Sequence, residues 1–341
     1  MAIFDLTLNG PLHQGEFVGI ERESVLDWIP SDTLWAAIVS AWNALGFDAS
    51  ERLMDCKDGS SYAPFIITSA FPRAGVVRFY PAPPRLPEHA GMKDKGKASK
   101  KIRLISQNVL HDLSAGKTPE NQDDCFIHGG SVWLSSSERN SIQSLFEEDE
   151  DGRPVLWRKQ IVPHVTVDRM SNTSNLFHTG HMVFSKDCGF WFAARGKIDW
   201  VCESLNYLSQ SGLGGLRSTG HGAFSWKQDP SDLPKADSGW GLCLSRYAPL
   251  SEEEIINGLQ AYHSAYRLIT VGGWCQDDQN HPWRRRSVRL VAEGALLPAN
   301  TKGKLVDVHP VAPEAWLGPQ RPVWRNGIAF LIPAGKLVEA I

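Results

Sequence analysis

No stretch of this sequence approaches the ~18 consecutive apolar residues that a membrane-spanning helix requires. The start, Met1-Ala2-Ile3-Phe4-Asp5, lacks the basic opening of a signal peptide, so no membrane association is expected and the cytoplasm is the expected compartment. Cysteine is sparse: Cys56, Cys125, Cys188, Cys202, Cys243 and Cys275 are scattered without a C-x-x-C pair, so free thiols are expected rather than a zinc ribbon or redox motif. His178, His181 and Cys188 have no evident fourth ligand and no standard metal spacing, and Asp123-Asp124 and the acidic run 147–151 read as solvated loops. No cofactor or metal is expected. Neither sign of charge dominates, since 35 Lys and Arg against 38 Asp and Glu give a formal net charge of -3. That balance leaves nucleic-acid binding open, because phosphate affinity follows a local basic path and not the total.

Two nucleotide-binding motifs are missing as well, and their absence bears on the most distinctive segment of the chain. Gly212-Leu213-Gly214-Gly215-Leu216-Arg217-Ser218-Thr219-Gly220-His221-Gly222 packs five glycines around one arginine. A dinucleotide fingerprint would need glycine where Arg217 sits and a strand before the loop; a P-loop would need Lys-Ser/Thr where His221-Gly222 stand. Ile198, Val201, Cys202, Leu205 and Leu208 recur at helical spacing before the loop, and Ala223 to Trp226 read as a strand after it. The order is helix, glycine loop, strand. Glycine permits φ > 0 and close backbone approach, so such a loop can turn N–H groups toward an anion, and Arg217 adds a guanidinium suited to phosphate. A glycine-rich hairpin or helix-exit turn is the alternative.

With 341 residues, 42% hydrophobic and 21% charged, the chain is long enough for two soluble domains. Phe4, Leu6 and Leu8 alternate with Asp5 and Thr7 as a first strand with one buried face. A helix follows, with Ser31 as N-cap, an apolar stripe of Leu34, Ile38, Trp42 and Leu45, and Gly46 at its end. From Pro64 to about Arg195 come short strand-like runs (76–80, 102–105, 162–167, 182–184, 190–194) between loops, of which 93–101 and 147–151 are expected to be mobile. Residues 1 to about 230 thus read as a βαββαβ ferredoxin-like domain with a long insertion. A linker at 228–238 leads to a second cycle over 231–341. It has a strand at 240–247, a helix capped by Ser251 and carrying Ile255, Leu259, Tyr262 and Tyr266, and strands at 287–297, 304–308 and 323–331.

Several stretches together resemble one family. They are Pro11-Leu12-His13-Gln14-Gly15, Ile29 to Leu34, Ser69-Ala70-Phe71-Pro72-Arg73 with Phe79-Tyr80-Pro81, Pro163 to Arg169, the glycine loop, Leu244-Ser245-Arg246-Tyr247, and Pro322 to Gly327. Their order resembles the fourth subunit of the type III-A CRISPR Csm effector, a RAMP-superfamily protein that holds the 5′ handle of guide RNA. The resemblance implies two ferredoxin-like (RRM-like) domains, a thumb β-hairpin inserted within about 64–195, and no catalytic residue. It implies guide RNA (crRNA), the large polymerase-like subunit and the repeated backbone subunit as partners, with target RNA reached indirectly. Gln14 and Trp35 depart from the family's usual aromatic and Phe.

On this resemblance, Gly212, Gly214, Gly215, Leu216, Arg217, Ser218, Thr219, Gly220, His221 and Gly222 are expected along the RNA backbone, with Arg217 on a phosphate and His221 on a base or 2′-hydroxyl. His13, Ser31, Asp32, Phe71, Arg73 and Arg169 are candidate RNA contacts as well. For Ser31 and Asp32 a helix cap is the competing reading, and for Arg169 a surface ion pair. Lys93, Lys95, Lys97, Lys100, Lys101 and Arg103 read as a solvated loop or a basic arm, and Arg284, Arg285, Arg286 and Arg289 beside Trp283 share at most part of one surface. Thirteen tryptophans suggest that some lie at interfaces. Two other functions compete: a metal-independent endoribonuclease using His13, His111 and Tyr62, and a scaffold that touches protein alone.

Overall fold

The alternation that opens the chain does form a strand, β1 (Ala2–Leu8), but Ala2 through Leu6 are all buried. Its polar face is covered too: Asp5 lies 3.3 Å from Arg78, 3.7 Å from Lys227 and 4.0 Å from Arg73. A carboxylate can be enclosed when cations close around it. The computed structural model describes residues 1–17, 23–53, 63–92, 95–167, 174–236, 239–276, 282–310 and 322–338.

After β2 (Leu12–His13), helix α1 (Ser31–Ala44) buries Leu34, Trp35, Ile38, Ala41 and Trp42. Its N-cap is Pro30, with no side-chain cap bond, so Ser31 lies inside the helix and not at its cap. Gly46 follows the helix at φ 84°, and Leu45 at the end of the expected stripe is 41% exposed. Next come β3 (Phe65–Ile67), β4 (Phe71–Ala74), β5 (Val77–Pro81), β6 (Leu104–Ser106) and α2 (Gln107–Ser114). Two long strands, β7 (Trp157–Val167) and β8 (Ser174–Phe184), pair antiparallel over eleven positions, from Trp157 opposite Phe184 to Val167 opposite Ser174. This ribbon falls inside the segment where an inserted hairpin is expected. Then β9 (Cys188–Gly196), α3 (Ile198–Ser211), the glycine loop and β10 (Phe224–Asp229) complete the first half.

The main sheet runs β10-β1-β9-β4-β5-β6 and continues into two short strands, with β3 also on β9. Phe4 stands opposite Phe192 on one side and Gln228 on the other. Strands β1 and β9 are therefore interior, and the edge strand β10 returns the chain to β1 directly after the glycine loop. Helices α1 and α3 pack together, with the Ser204 hydroxyl donating to the Ile38 carbonyl at 3.1 Å and Trp42 Nε1 to Trp200 O at 3.3 Å.

The second half departs from a repeat of this plan. Its strands β11 (Trp240–Cys243), β12 (Leu268–Val271), β13 (Val288–Val291), β14 (Leu296–Pro298), β15 (Gly303–Asp307), β16 (Trp324–Ile328) and β17 (Leu331–Pro333) form one three-stranded sheet, β14-β11-β17, and the pairs β12-β13 and β15-β16. The expected strands 287–297 and 323–331 are each broken in two. The expected long helix is one short turn, Glu252–Glu254, followed by a wide turn, Ile255–Leu259. Ser251 Oγ does accept the Glu254 amide, at 3.4 Å, but Asn257-Gly258 are poor helix formers. The Glu254 carboxylate is drawn off to the Tyr247 hydroxyl (2.9 Å) and the Leu250 and Lys302 amides (both 2.7 Å). Ile256 and Tyr262 stay exposed.

One apolar cluster extends from β1, α1 and α3 through Leu242, Leu296, Leu305, Ile328 and Phe330, so both halves share a core. Trp28, Trp35, Trp42, Trp133, Trp157 and Trp191 are buried in it. The acidic segment expected to be mobile forms a small hairpin, Glu147–Glu148 against Pro154–Val155, held by Asp149 Oδ1 accepting the Asp151 and Arg153 amides, both at 2.9 Å.

Candidate nucleic-acid interface

α3 ends where Gly212, at φ 83°, turns the chain away from the helix while its amide still donates to Leu208 O at 2.7 Å. The loop then folds against β2. Gly215 donates to His13 O, Gly222 to Pro11 O and Leu213 to Gly222 O, each at 2.9 Å. Gly214 and Gly222 have φ of 80° and 72°, and neither tolerates a side chain. A Cβ at Gly214 would collide with the His13 carbonyl oxygen, and one at Gly222 with that of Leu213. Close approach within the chain accounts for these glycines first. Among the described residues, the amides of Gly214 and Leu216 donate to no protein oxygen. Leu216 itself is left-handed, φ 56°, a strained conformation for a non-glycine residue.

The tip of the loop is a short 3₁₀ turn, Arg217–Thr219. Arg217, Ser218, Thr219 and Gly220 are exposed, and among the described residues Arg217 makes no ion pair. The Thr219 hydroxyl donates to Leu216 O at 2.7 Å and lies 2.9 Å from His221 Nδ1.

β2 also pairs with β8, placing His13 opposite His181 and Leu12 opposite Met182. His13 Nδ1 donates to the Gly180 carbonyl at 2.9 Å. Four imidazoles from four segments therefore meet. The ring of His181 lies 4.7 Å from that of His221, 5.7 Å from His13 and 6.2 Å from His164. His181 is 3% exposed, and its Nε2 is hydrogen-bonded to Thr179 Oγ1 at 2.7 Å. Its pKa is lowered, first by burial and then by repulsion from His221, His13 and His164. Sequence reasoning singled out His13 and His221 but missed His164, and weighed His181 only for zinc. Period-two alternation puts His164 and His181 on one face of the ribbon and His178 on the other, a signal legible only once the ribbon's register is known.

Four expected contacts are corrected by burial. Ser31 and Asp32 are 0% and 2% exposed. Asp32 is ion-paired with Arg325 and, at 3.3 Å, with Arg246, and Ser31 Oγ accepts the Arg246 amide at 2.9 Å. Phe71 is 0% exposed, and Arg73, 6% exposed, is spent inside the fold on Thr7 Oγ1 at 2.5 Å and the Gly75 and Asp187 carbonyls. None of the four presents a polar atom to an external ligand. Arg169, Lys93 and Tyr62 lie outside the described residues.

The other basic candidates divide. Lys95 donates to Asn121 O at 2.5 Å, and Arg103 pairs with Asp27 at 2.8 Å, while Lys97, Lys100 and Lys101 are exposed. Arg284 and Arg289 are exposed, Arg286 bonds Asp307 O at 3.2 Å, and the pKa of half-buried Arg285 is lowered by burial and by Arg325. His111 is exposed on α2 beside Asp112 at 3.6 Å. Cys188 is buried on β9, its thiol pushed up to about 12 by desolvation. Among the described residues, no three His, Cys, Asp or Glu side chains are arranged around a metal position.

The arrangement combines an exposed guanidinium, two amides that donate to no protein oxygen among the described residues, and a group of imidazoles at the root of the ribbon. Comparisons with known proteins find similar chains among the subunits of type III CRISPR complexes. Residues 236–334 match the family model of the CRISPR Csm4 C-terminal domain. The chain is 22% identical over 284 residues to "CRISPR system Cms protein Csm4" of Thermococcus onnurineus (strain NA1), covering 80% of this chain and 83% of that protein. The fold is similar to that in the crystal structure of a Csm3-Csm4 subcomplex of the type III-A interference complex, with a TM-score of 0.65, 17% identity, and coverage of 98% of this chain and 99% of that one. It is also similar to that in a Csm1-Csm4 cassette in complex with cA4, with a TM-score of 0.55, 15% identity, and coverage of 98% of both chains. Residues 236–334 thus carry a Csm4 C-terminal domain, and the whole chain is similar to Csm4 proteins along most of its length.

Proposed function

We propose that this chain is a non-catalytic, cytoplasmic RNA-binding subunit of a type III-A Csm complex, holding the 5′ handle of guide RNA with the loop 212–222. The observation that carries this reading is the exposed tip Arg217–Thr219 on a loop locked against β2, where, among the described residues, the Arg217 guanidinium makes no ion pair and the Gly214 and Leu216 amides donate to no protein oxygen. Such a surface pairs with phosphates through charge and amide donors and needs no base recognition. The strand order β10-β1-β9-β4, with α1 and α3 between the strands in sequence, supports a ferredoxin-like plan for about residues 1–230. Residues 231–341 are the second, divergent unit, and the ribbon β7-β8 is the inserted thumb. The Csm3 and Csm1 partners of the similar structures point to a backbone subunit and a large subunit as the neighbours that this chain bridges.

The test is guide-RNA retention in complexes purified with Arg217→Glu. Loss of a phosphate contact is expected to weaken RNA binding about tenfold at near-physiological salt and to make the slope of log affinity against log salt shallower by about one. Unchanged affinity and slope in a folded variant would remove the loop from the RNA path.

A further inference from the structure

Beyond the loop tip, the histidine group is engaged by hydrogen bonds from His13 to Gly180 O, between His181 and Thr179, and between His221 and Thr219, none of which requires an ionisable ring. Four ionisable rings are gathered from β2 (His13), β7 (His164), β8 (His181) and the glycine loop (His221). Apolar side chains would fill this space at lower cost than imidazoles that repel one another whenever two are charged. His181 Nδ1 is buried with no hydrogen-bond partner among the described residues, a position that costs free energy unless something else satisfies it. The groups that set the charge of His181 are His221, His13 and His164, and no carboxylate is among them. On the remaining side of Gly180 the neighbour is the apolar Val25. Arg217, on the same loop as His221, adds a further positive charge.

We infer that the imidazole group His13-His164-His181-His221 is a phosphodiester-binding subsite at the root of the ribbon, which takes up protons when single-stranded RNA occupies it. This rests on the RNA-binding reading of the loop and deepens it. Half-buried His13 and His221 offer the ligand-facing rings, while His181 beneath them is a positioning residue that shares their charge. Without ligand, burial and the three neighbouring rings disfavour the charged form of His181. A bound phosphate raises the imidazole pKa values, because an adjacent negative charge favours the protonated ring. Since the bound state then holds more protons than the free state, affinity rises as pH falls through the bound-state pKa and levels off below the free-state one. Each proton taken up steepens the dependence by up to about tenfold per pH unit.

The experiment uses the full-length chain and a short fluorescein-labelled single-stranded oligoribonucleotide of mixed sequence, with affinity measured by anisotropy between about pH 5.5 and about pH 8, where imidazole titrates. Wild type is expected to bind at least about tenfold tighter at the acid end. His181→Gln and His221→Gln, which keep a polar side chain but cannot take up a proton in this range, are expected to flatten that dependence. His178→Gln, on the opposite face of the ribbon, is expected to retain it. If His181→Gln fails to fold, His221→Gln on the exposed loop carries the comparison. Wild-type binding that is independent of pH, or dependence that persists in both glutamine variants, overturns the subsite and leaves the loop's RNA role standing. Absence of binding at every pH overturns the RNA-binding reading itself, and the subsite with it.

Discussion

His128 shows how one residue can couple the fold to pH. It holds φ at 53°, its ring stacks on Trp157 at 3.9 Å between centroids, and its Nε2 accepts the Leu156 amide at 2.9 Å. Burial pushes its pKa from 6.5 down to about 4, against a smaller upward pull from Asp27. The unfolded chain thus protonates this ring before the folded chain does, so its stabilising contribution is present above about pH 6.5 and is lost as pH falls toward 4. The loss amounts to at most about 3 kcal/mol across that window. Thermal unfolding of wild type is expected to show falling stability from pH 7 to pH 5, and His128→Gln a lower midpoint at pH 7 with a shallower decline. Equal pH slopes would remove His128 as the source. Gly222→Ala tests the loop at the same scale. Its Cβ meets the Leu213 carbonyl at a φ of 72°, so RNA binding is expected to fall more than tenfold while far-ultraviolet circular dichroism stays near wild type.

Among the elements, the ribbon β7-β8 is the one whose sequence runs against its surroundings. Ile161, Val165, Val167 and Leu176 are 59% to 70% exposed on one face, with Val165 opposite Leu176 in the register. A bare apolar face on a projecting strand pair is uncommon in a chain that works alone. The double change Val165→Thr and Leu176→Thr is expected to alter the isolated chain's stability by no more than about 0.5 kcal/mol, since both side chains already face water. Recovery of backbone or large subunits in a tagged pull-down is expected to drop. A marked loss of stability with intact assembly would show that the face packs within the chain.

At the scale of the whole molecule, the two halves are joined by buried charge. Asp32 on α1 meets Arg325 on β16 and Arg246, Arg246 lies 3.7 Å from Glu293, and Glu293 accepts from Ser69 Oγ at 2.6 Å. Two acids and two guanidiniums balance, and all four residues are at most 6% exposed. Removing one member strands its partners. Asp32→Ala is therefore expected to cost about 3 to 5 kcal/mol in urea unfolding, far more than the loss of a helix-cap residue. Because the apolar cluster also crosses from one half to the other, residues 231–341 expressed alone are expected to be insoluble or unfolded by circular dichroism. A cooperative melt from that fragment would contradict the shared core.

The first strand, α1, α3, the loop and β10 were legible because their signals are local: period-two and period-3.6 apolar spacing, and glycines bounded by a helix and a strand. No run of the sequence reaches the ~18 apolar residues of a spanning helix, and none of the described helices is long and apolar enough to cross a membrane. Ser31, Asp32, Phe71 and Arg73 look alike in sequence whether they face water or the interior; packing of the second half over α1 decided this for Ser31 and Asp32, and packing within the first half for Phe71 and Arg73. The same holds for the broken helix after Ser251, where Glu254 is captured by groups up to 49 positions away. The histidine group depends on a ribbon register and on β2 lying between ribbon and loop. Sequence by itself determined β1, α1, α3, β10 and the glycine loop, because those follow from neighbours along the chain. Tertiary structure decided which charges are buried and which imidazoles meet, because those are contacts between residues as much as 293 positions apart.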